Sequence, residues 1–188
     1  PGIEVRSIVS MTGRHSFNEV FFDNVRVSKR DVLGEVNRGW YVAVTLLGFE
    51  RSLIEYPSAA RRALEELTAY VKENRVNGSA LADDPSVRGK LAEMAVEIEV
   101  ARLLCYQVAW LTARGKVPDY EGSVAKVYST EVMRRFSGRA SQIIGLHSQL
   151  SSGSKYQILD GGVTHMYQES VGINLAGVQV VLRMMERM

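Results

Sequence analysis

The stretch DPSVRGKLAEMAVEIEVARLLCYQVAWLTARG, Asp84 to Gly115, reads as one long helix. Its apolar residues Val87, Leu91, Met94, Ile98, Ala101, Cys105 and Val108 step by 4, 3, 4, 3, 4 and 3. Alternating steps of four and three keep side chains on one stripe of a helix, and such a stripe is the seam of a bundle. Asp84 suits the N-cap, Pro85 the first helical position and Gly115 the C-terminal turn, so the spacing predicts a helix over 86–114. A second stripe through Val96, Val100, Leu103 and Trp110 predicts that this helix is central and covered on both faces.

Working outward, residues 120–144 predict a second long helix, with Val124, Tyr128, Val132, Phe136, Ala140 and Ile143 turned inward. On the other side Asn37 is placed to cap a helix over 38–53, which Pro57 breaks, and a further amphipathic piece follows over 58–74. Gly145 to Gly162 reads as loop, followed by two helical pieces, 163–170 and 177–188. Four long helical units with short links point to an all-α fold, an antiparallel up-and-down four-helix bundle. Residues 1–36 differ. Ile3, Val5, Ile8, Phe17, Phe21 and Val25 read as short strands, with Asp23-Asn24 as a turn. Two or three short strands cannot enclose a core alone, so this β extension leans on something else. The expected division is therefore 1–36 and 37–188.

The chain of 188 residues is long enough for one ordinary domain with a sizeable core. Its 46% hydrophobic and 23% charged residues are a globular balance, and a net charge of +2 offers no field for nucleic acid. The one cysteine, Cys105, cannot form an intramolecular disulfide and fits a reducing, cytoplasmic setting; its apolar surroundings make it a small buried hydrophobe. No run approaches the roughly 18 apolar residues of a membrane span. His15, His147 and His165 are scattered, which speaks against a metal site. The chain opens at Pro1 inside a strand-like pattern, as expected of a piece of something longer.

One stretch is unusual for its polarity. In LLGFERSLIEYP, Leu46 to Pro57, a helix would put Leu46, Leu47 and Ile54 on the face of Glu50. A carboxylate among three aliphatics either snorkels to water, with Arg51 and Glu55 paired one turn apart, or is held there for chemistry. Burial in such a setting raises a carboxylate's pKa and makes it a better base.

Several segments together resemble one family. NEVFFDNVRVSKRDVLGEVNRGWYVA, residues 18–43, is similar to the last middle-domain strand and first C-terminal helix of the acyl-CoA dehydrogenases. KLAEMAVEIEVARLLCYQVAW, residues 90–110, is similar to that family's second bundle helix, and SQIIG, residues 141–145, to its Q-I-x-G-G element. The resemblance implies a three-domain FAD enzyme, of which residues 1–36 are the tail of the middle β domain and 37–188 the C-terminal bundle. It implies α,β-dehydrogenation of an acyl-CoA thioester, with electrons leaving through an electron-transfer flavoprotein. Residues of the bundle would also meet the FAD of a neighbouring subunit in a dimer or tetramer.

The resemblance further implies where the base sits. In one branch it is a glutamate just before a G-T-S-E/Q motif, but that slot is Ala176 here. In the isovaleryl-CoA and long-chain branch it is the glutamate of an E-R pair on the first bundle helix, which is Glu50 followed by Arg51. Glu50 is thus the expected base and Arg51 a charge that positions substrate beside it. Arg75, Gln142 and Gly145 are the expected cofactor contacts. Three departures stand against them. The G-T-S-E/Q motif is Gly177-Val178-Gln179-Val180; Q-I-x-G-G ends in Gly145-Leu146; and the arginine of E-R-x-x-F-G is displaced to Arg75. They imply that this piece holds FAD weakly or not at all. They also sustain an alternative, a non-catalytic partner subunit or assembly domain in a mixed complex.

Overall fold

The computed structural model describes the backbone of residues 1–49 and 53–185, and the side chains of residues 1–46 and 53–173. The chain is mostly helical, with five α-helices and a small N-terminal strand pair among the described residues. It divides into two compact units between residues 49 and 50.

The first unit holds β1 (Ile3–Val9), β2 (His15–Phe22) and α1 (Gly39–Phe49). The strands pair antiparallel, Ile3 opposite Phe22 and Ile8 opposite Phe17, with an irregularity between Ile8 and Val9. Every residue of both strands is exposed, so the aromatic and β-branched side chains that make the strands have no core beneath them. The turn expected at Asp23-Asn24 is present, with Asn24 at a φ of 48°. Asn37 does not cap α1. It sits at a φ of 63°, and the helix begins two residues later at Gly39.

The second unit contains α2 (Glu55–Glu73), a two-residue hairpin of β3 (Arg75–Val76) and β4 (Ser79–Ala80), α3 (Pro85–Ala113), α4 (Asp119–Ile144) and α5 (Gly162–Met185). Pro57 does not end a helix as expected. It occupies the first turn of α2, where the amide that proline lacks would have had no helical partner. The last two helical pieces expected in the sequence are one continuous helix, α5.

α3 follows its sequence closely. Asp84 accepts a hydrogen bond from the Ser86 amide at 2.7 Å, Pro85 opens the helix, and Gly115 takes a φ of 71° after it. The seam residues Val87, Met94, Ile98, Ala101, Cys105 and Val108 are all buried. The second stripe is not: Val96 is 64% and Leu103 53% exposed, so α3 is covered on one face only. The central element is α4, which packs against α2, α3 and α5 and buries a band of residues about half its circumference wide, from Gly122 to Ile144. Small residues permit this. Gly122, Ser123, Ala125, Ser129, Ser137 and Ala140 let three neighbours approach one helix.

Paired side chains give the directions. Cys105 on α3 meets Ser129 on α4, Glu97 meets Arg135 and Arg139, and Glu93 meets Arg139. Positions fall along α3 as they rise along α4, so the two run antiparallel. Ser137 meets Ser170, and Thr164 donates to the carbonyls of Ser148 and Leu150 just beyond α4, so α5 is antiparallel to α4 as well. Leu67, Met94, Phe136 and Val163, one from each of α2 to α5, share a single core.

Candidate functional site

The β3–β4 hairpin leaves α2 and delivers the chain to α3, so it stands at the end of the unit where α3 begins. α4 runs antiparallel to α3 and therefore finishes at that end. Arg75 in the hairpin and Gln142 and Gly145 at the finish of α4 are thus brought to one end of the unit, and all three are exposed. The hairpin turns through Asn77 at a φ of 52° and Gly78 at 88°, and Arg75 Nη1 donates back across it to the Gly78 carbonyl at 3.1 Å. That bond orients the guanidinium while leaving other donors free for an anion. Gly145 closes α4 at a φ of 70° and a ψ of −142°, with open space where a Cβ would stand. Only glycine adopts that conformation readily, and it leaves the backbone approachable. The next residue, Leu146, is 88% exposed.

A guanidinium, an amide and an open backbone fit the edge of a phosphate-bearing cofactor such as FAD. They suit an accessory set presented to a ligand held elsewhere, because all three face solvent. A depression of about 420 Å³ lies along α2 and is lined by Leu64, Glu65, Thr68, Ala69, Lys72 and Glu73; none of the candidate site residues lines it.

Glu50 and Arg51 lie outside the described residues. The described chain resumes just after them, and the start of α2 is tied down by a group the sequence did not single out. Lys126 of α4 is half-buried, and its Nζ stands 5.2 Å from the centre of the Tyr56 ring. Burial pushes the Lys126 ammonium below the ordinary lysine range, while Glu55 pulls it back up. Burial likewise raises the Tyr56 phenol, helped by the negative charges of Glu55 and Glu169. A cation on an aromatic face contributes on the order of 0.5–2 kcal/mol, more as it is desolvated. The Lys126–Tyr56 contact, with Glu55 beside it, thus joins the first turn of α2 to α4. Its only sequence signal was a lysine, Lys126, amid the small residues of α4.

Two further placements bear on function. Among the described residues no group of three or more His, Cys, Asp and Glu side chains is arranged to hold a metal ion. Among them no helix is long and apolar enough to cross a membrane.

Comparison with known proteins identifies the fold. Residues 37–172 match the model of the acyl-CoA dehydrogenase C-terminal domain. The (2S)-methylsuccinyl-CoA dehydrogenase of Cereibacter sphaeroides is 37% identical over 131 residues, 68% of this chain and 24% of that protein. The caffeyl-CoA reductase-Etf complex subunit CarC of Acetobacterium woodii is 34% identical over 130 residues, 68% of this chain and 34% of that one. Among solved structures, a glutaryl-coenzyme A dehydrogenase in complex with glutaryl-CoA superposes with a TM-score of 0.82 at 25% identity, covering 94% of this chain and 44% of its own. A variant of the Tcur3481-Tcur3483 steroid ACAD gives a TM-score of 0.88 at 25% identity over 98% of this chain and 47% of that one. The chain spans about a third or less of these two curated relatives and just under half of these two solved chains. The family is one of FAD-dependent oxidoreductases. With the domain model covering most of its length, the chain belongs to the acyl-CoA dehydrogenase family and carries its C-terminal helical domain.

Proposed function

We propose that residues 1–188 form part of a FAD-dependent acyl-CoA dehydrogenase that introduces an α,β double bond into an acyl-CoA thioester. Residues 1–36 are read as the tail of its middle β domain, and residues 37–188 as its C-terminal domain, with α2 to α5 forming an antiparallel four-helix bundle. Glu50 takes the α-proton onto its carboxylate, and Arg51 holds the substrate beside it. Bound FAD would supply the acceptor for the β-hydride, and an electron-transfer flavoprotein would take the electrons onward. Lys126 and Tyr56 fix the start of α2 and thereby the chain that immediately follows Glu50 and Arg51. Arg75, Gln142 and Gly145 reach toward the FAD of a neighbouring subunit. The piece 1–188 by itself retains that cofactor weakly or not at all.

The observation that carries this reading is the family match over 37–172. Within that span an E-R pair stands at Glu50-Arg51, and beyond it the rival slot for the base is Ala176. The reading is tested by anaerobic titration of the longer, flavin-bearing protein with acyl-CoA thioesters. Bleaching of the flavin band supports it, and an unchanged spectrum with every thioester contradicts it.

A second reading has its own observation. Leu146 and Val178 replace the second glycine of Q-I-x-G-G and the threonine of G-T-S-E/Q, and Leu146 projects into solvent where bare backbone would approach a cofactor. Such a chain serves as the non-catalytic subunit of a mixed complex. Purification with and without the product of the neighbouring gene separates the readings: flavin that appears only in the mixture favours this second one.

A further inference from the structure

α2 starts without a cap of its own. Its N-cap residue is Ile54, which offers no side-chain acceptor to the open amides of the first turn. The turn is held in other ways. The Tyr56 amide donates to the Leu53 carbonyl at 3.2 Å, and the Ser58 amide and hydroxyl both donate to the Ile54 carbonyl, at 3.2 and 2.7 Å. These bonds tie residues 53 and 54 to the helix that follows. From outside the turn, Pro57 is buried and the Lys126 ammonium of α4 stands 5.2 Å from the centre of the Tyr56 ring. Only Arg51 and Ser52 separate Glu50 from the tied residues. A displacement of this turn is therefore passed to Glu50 through two residues of chain.

For stability alone Lys126 is a poor occupant of its position. Among the described residues its half-buried ammonium has no hydrogen-bond acceptor and no carboxylate at ion-pair distance; its close partner is the ring. The Tyr56 hydroxyl has no hydrogen bond among them either, so the contact runs through the ring face. Burial lowers the Lys126 pKa, with Glu55 offsetting part of the effect. A cation whose pKa falls on folding leaves the folded chain less stable at neutral pH than an ordinary lysine would. Methionine has a stem of similar length and no charge to desolvate. The charge is what sets Lys126 apart, and what it engages is the turn that leads back to Glu50.

We infer that Lys126 is a positioning residue for the base: its charge, seated on the face of Tyr56, fixes where the chain enters α2 and thereby where the Glu50 carboxylate stands, at the expense of stability. Lys126 acts through Tyr56 in this role, and the inference rests on Glu50 being the base. Position matters steeply here, because a misplacement of about 1 Å between reacting groups costs on the order of a hundredfold in rate.

The test uses the longer, flavin-bearing protein and reads three quantities: the limiting rate of flavin reduction by acyl-CoA, the acyl-CoA dissociation constant, and Tm at pH 7. Lys126→Met is expected to slow the limiting rate by roughly ten- to a hundredfold, with the dissociation constant little changed and Tm level or higher. Lys126→Arg keeps a cation that stacks on the ring and is expected to restore most of the rate; Tyr56→Phe, which keeps the ring, is expected to retain it. Tyr56→Leu removes the ring and is expected to match Lys126→Met, with the double variant no slower than either. Reduction by Lys126→Met within about threefold of the parent overturns the inference, since that is far below the effect of a misplaced base. So does a fall in Tm with the rate unchanged, which marks a structural contact, or Lys126→Arg as slow as Lys126→Met. Glu50→Gln, run alongside, separates this role from the reading beneath it, and in that background Lys126→Met is expected to add nothing further. A slow Glu50→Gln beside a parent-like Lys126→Met removes the positioning role alone. A parent-like Glu50→Gln removes the base, and this inference with it.

Discussion

Three consecutive residues before α5 sit at positive φ: Leu159 at 50°, Asp160 at 53° and Gly161 at 70°. For leucine this conformation costs on the order of 1–2 kcal/mol, so the surroundings must hold it. Gly161 explains the constraint. A Cβ there would stand 2.5 Å from the Ser152 amide nitrogen and 2.8 Å from the Ser151 carbonyl carbon, so the loop after α4 closes on bare backbone. Gly161→Ala is expected to cost about 2 kcal/mol, read as a fall in Tm of about 4–8 °C. Gly13→Ala is the control. It also sits at positive φ, but nothing crowds it, and its cost is expected to be clearly smaller. Equal effects would mean that φ alone, not the closure on Ser151 and Ser152, sets the energy. Residue-scale signals varied in how well they could be read. Asp84, Pro85 and Gly115 act through their own neighbours in sequence and were legible. Pro57 was misread as a helix breaker, because one position decides whether proline ends a helix or sits in its first turn.

At the scale of elements, the α3–α4 contact is held by apolar seams and by one ionic network. Glu97 takes Arg139 Nη1 at 2.6 Å and Arg135 Nε at 3.0 Å, and Arg135 also reaches Glu131 at 3.6 Å. The Glu97 side chain is only 20% exposed, so its carboxylate has exchanged most of its water for two guanidinium groups. Glu99, two residues on, pairs with Arg102 on the open side of the same helix. Removing the first leaves partly buried Arg135 with only Glu131 and partly buried Arg139 with only the exposed Glu93, whereas the second is a surface pair worth little. Glu97→Ala is therefore expected to lower stability by about 1–2 kcal/mol, and Glu99→Ala to leave it unchanged within error. Urea denaturation of both variants checks this; a Glu99 effect equal to that of Glu97 would contradict it. The same scale shows why the central helix was mistaken. A 4–3 stripe states that a face is apolar, not which partner covers it. α3 carries two such stripes and buries one, while the mixed, serine-rich α4 meets three helices, because its small residues let neighbours come close.

For the whole molecule, titration behaviour follows from what the core encloses. Burial raises the Cys105 thiol above its ordinary 9.0, with Ser129 offsetting part of the effect, and raises the phenols of Tyr56 and Tyr70 above their ordinary 10.0. Each of these groups keeps its proton in the folded chain at a pH where the unfolded chain releases it. The folded state then binds more protons, and stability falls as pH rises through that window. Lys126 is lowered from 10.5, so it loses its proton earlier when folded and contributes in the opposite direction. With three groups against one, thermal stability is expected to decline from about pH 9 upward. Tm measured from pH 8 to 11 checks the sign, and Lys126→Met is expected to steepen the decline by removing the opposing term. A rising Tm would contradict the burial of these groups. At this scale the helical class was legible, because it depends on local patterns of apolar spacing and caps. The Lys126–Tyr56 tie was not, since it joins residues seventy positions apart through packing alone.

The central claim is that Glu50 is the base, and one variant addresses it. Glu50→Gln in the longer, flavin-bearing protein keeps the side chain's size and hydrogen-bonding capacity but cannot accept a proton from carbon at neutral pH. Loss of a general base costs on the order of 10²–10⁴ in rate, and Ala176 supplies no carboxylate to replace it. Stopped-flow reduction of the flavin by acyl-CoA, with substrate binding and folding unchanged, is predicted to slow by at least about a hundredfold. Reduction within about threefold of the parent rate would contradict the account, since that is far below the loss expected of a general base. Glu50 would then be a surface charge, and the non-catalytic partner reading would take its place.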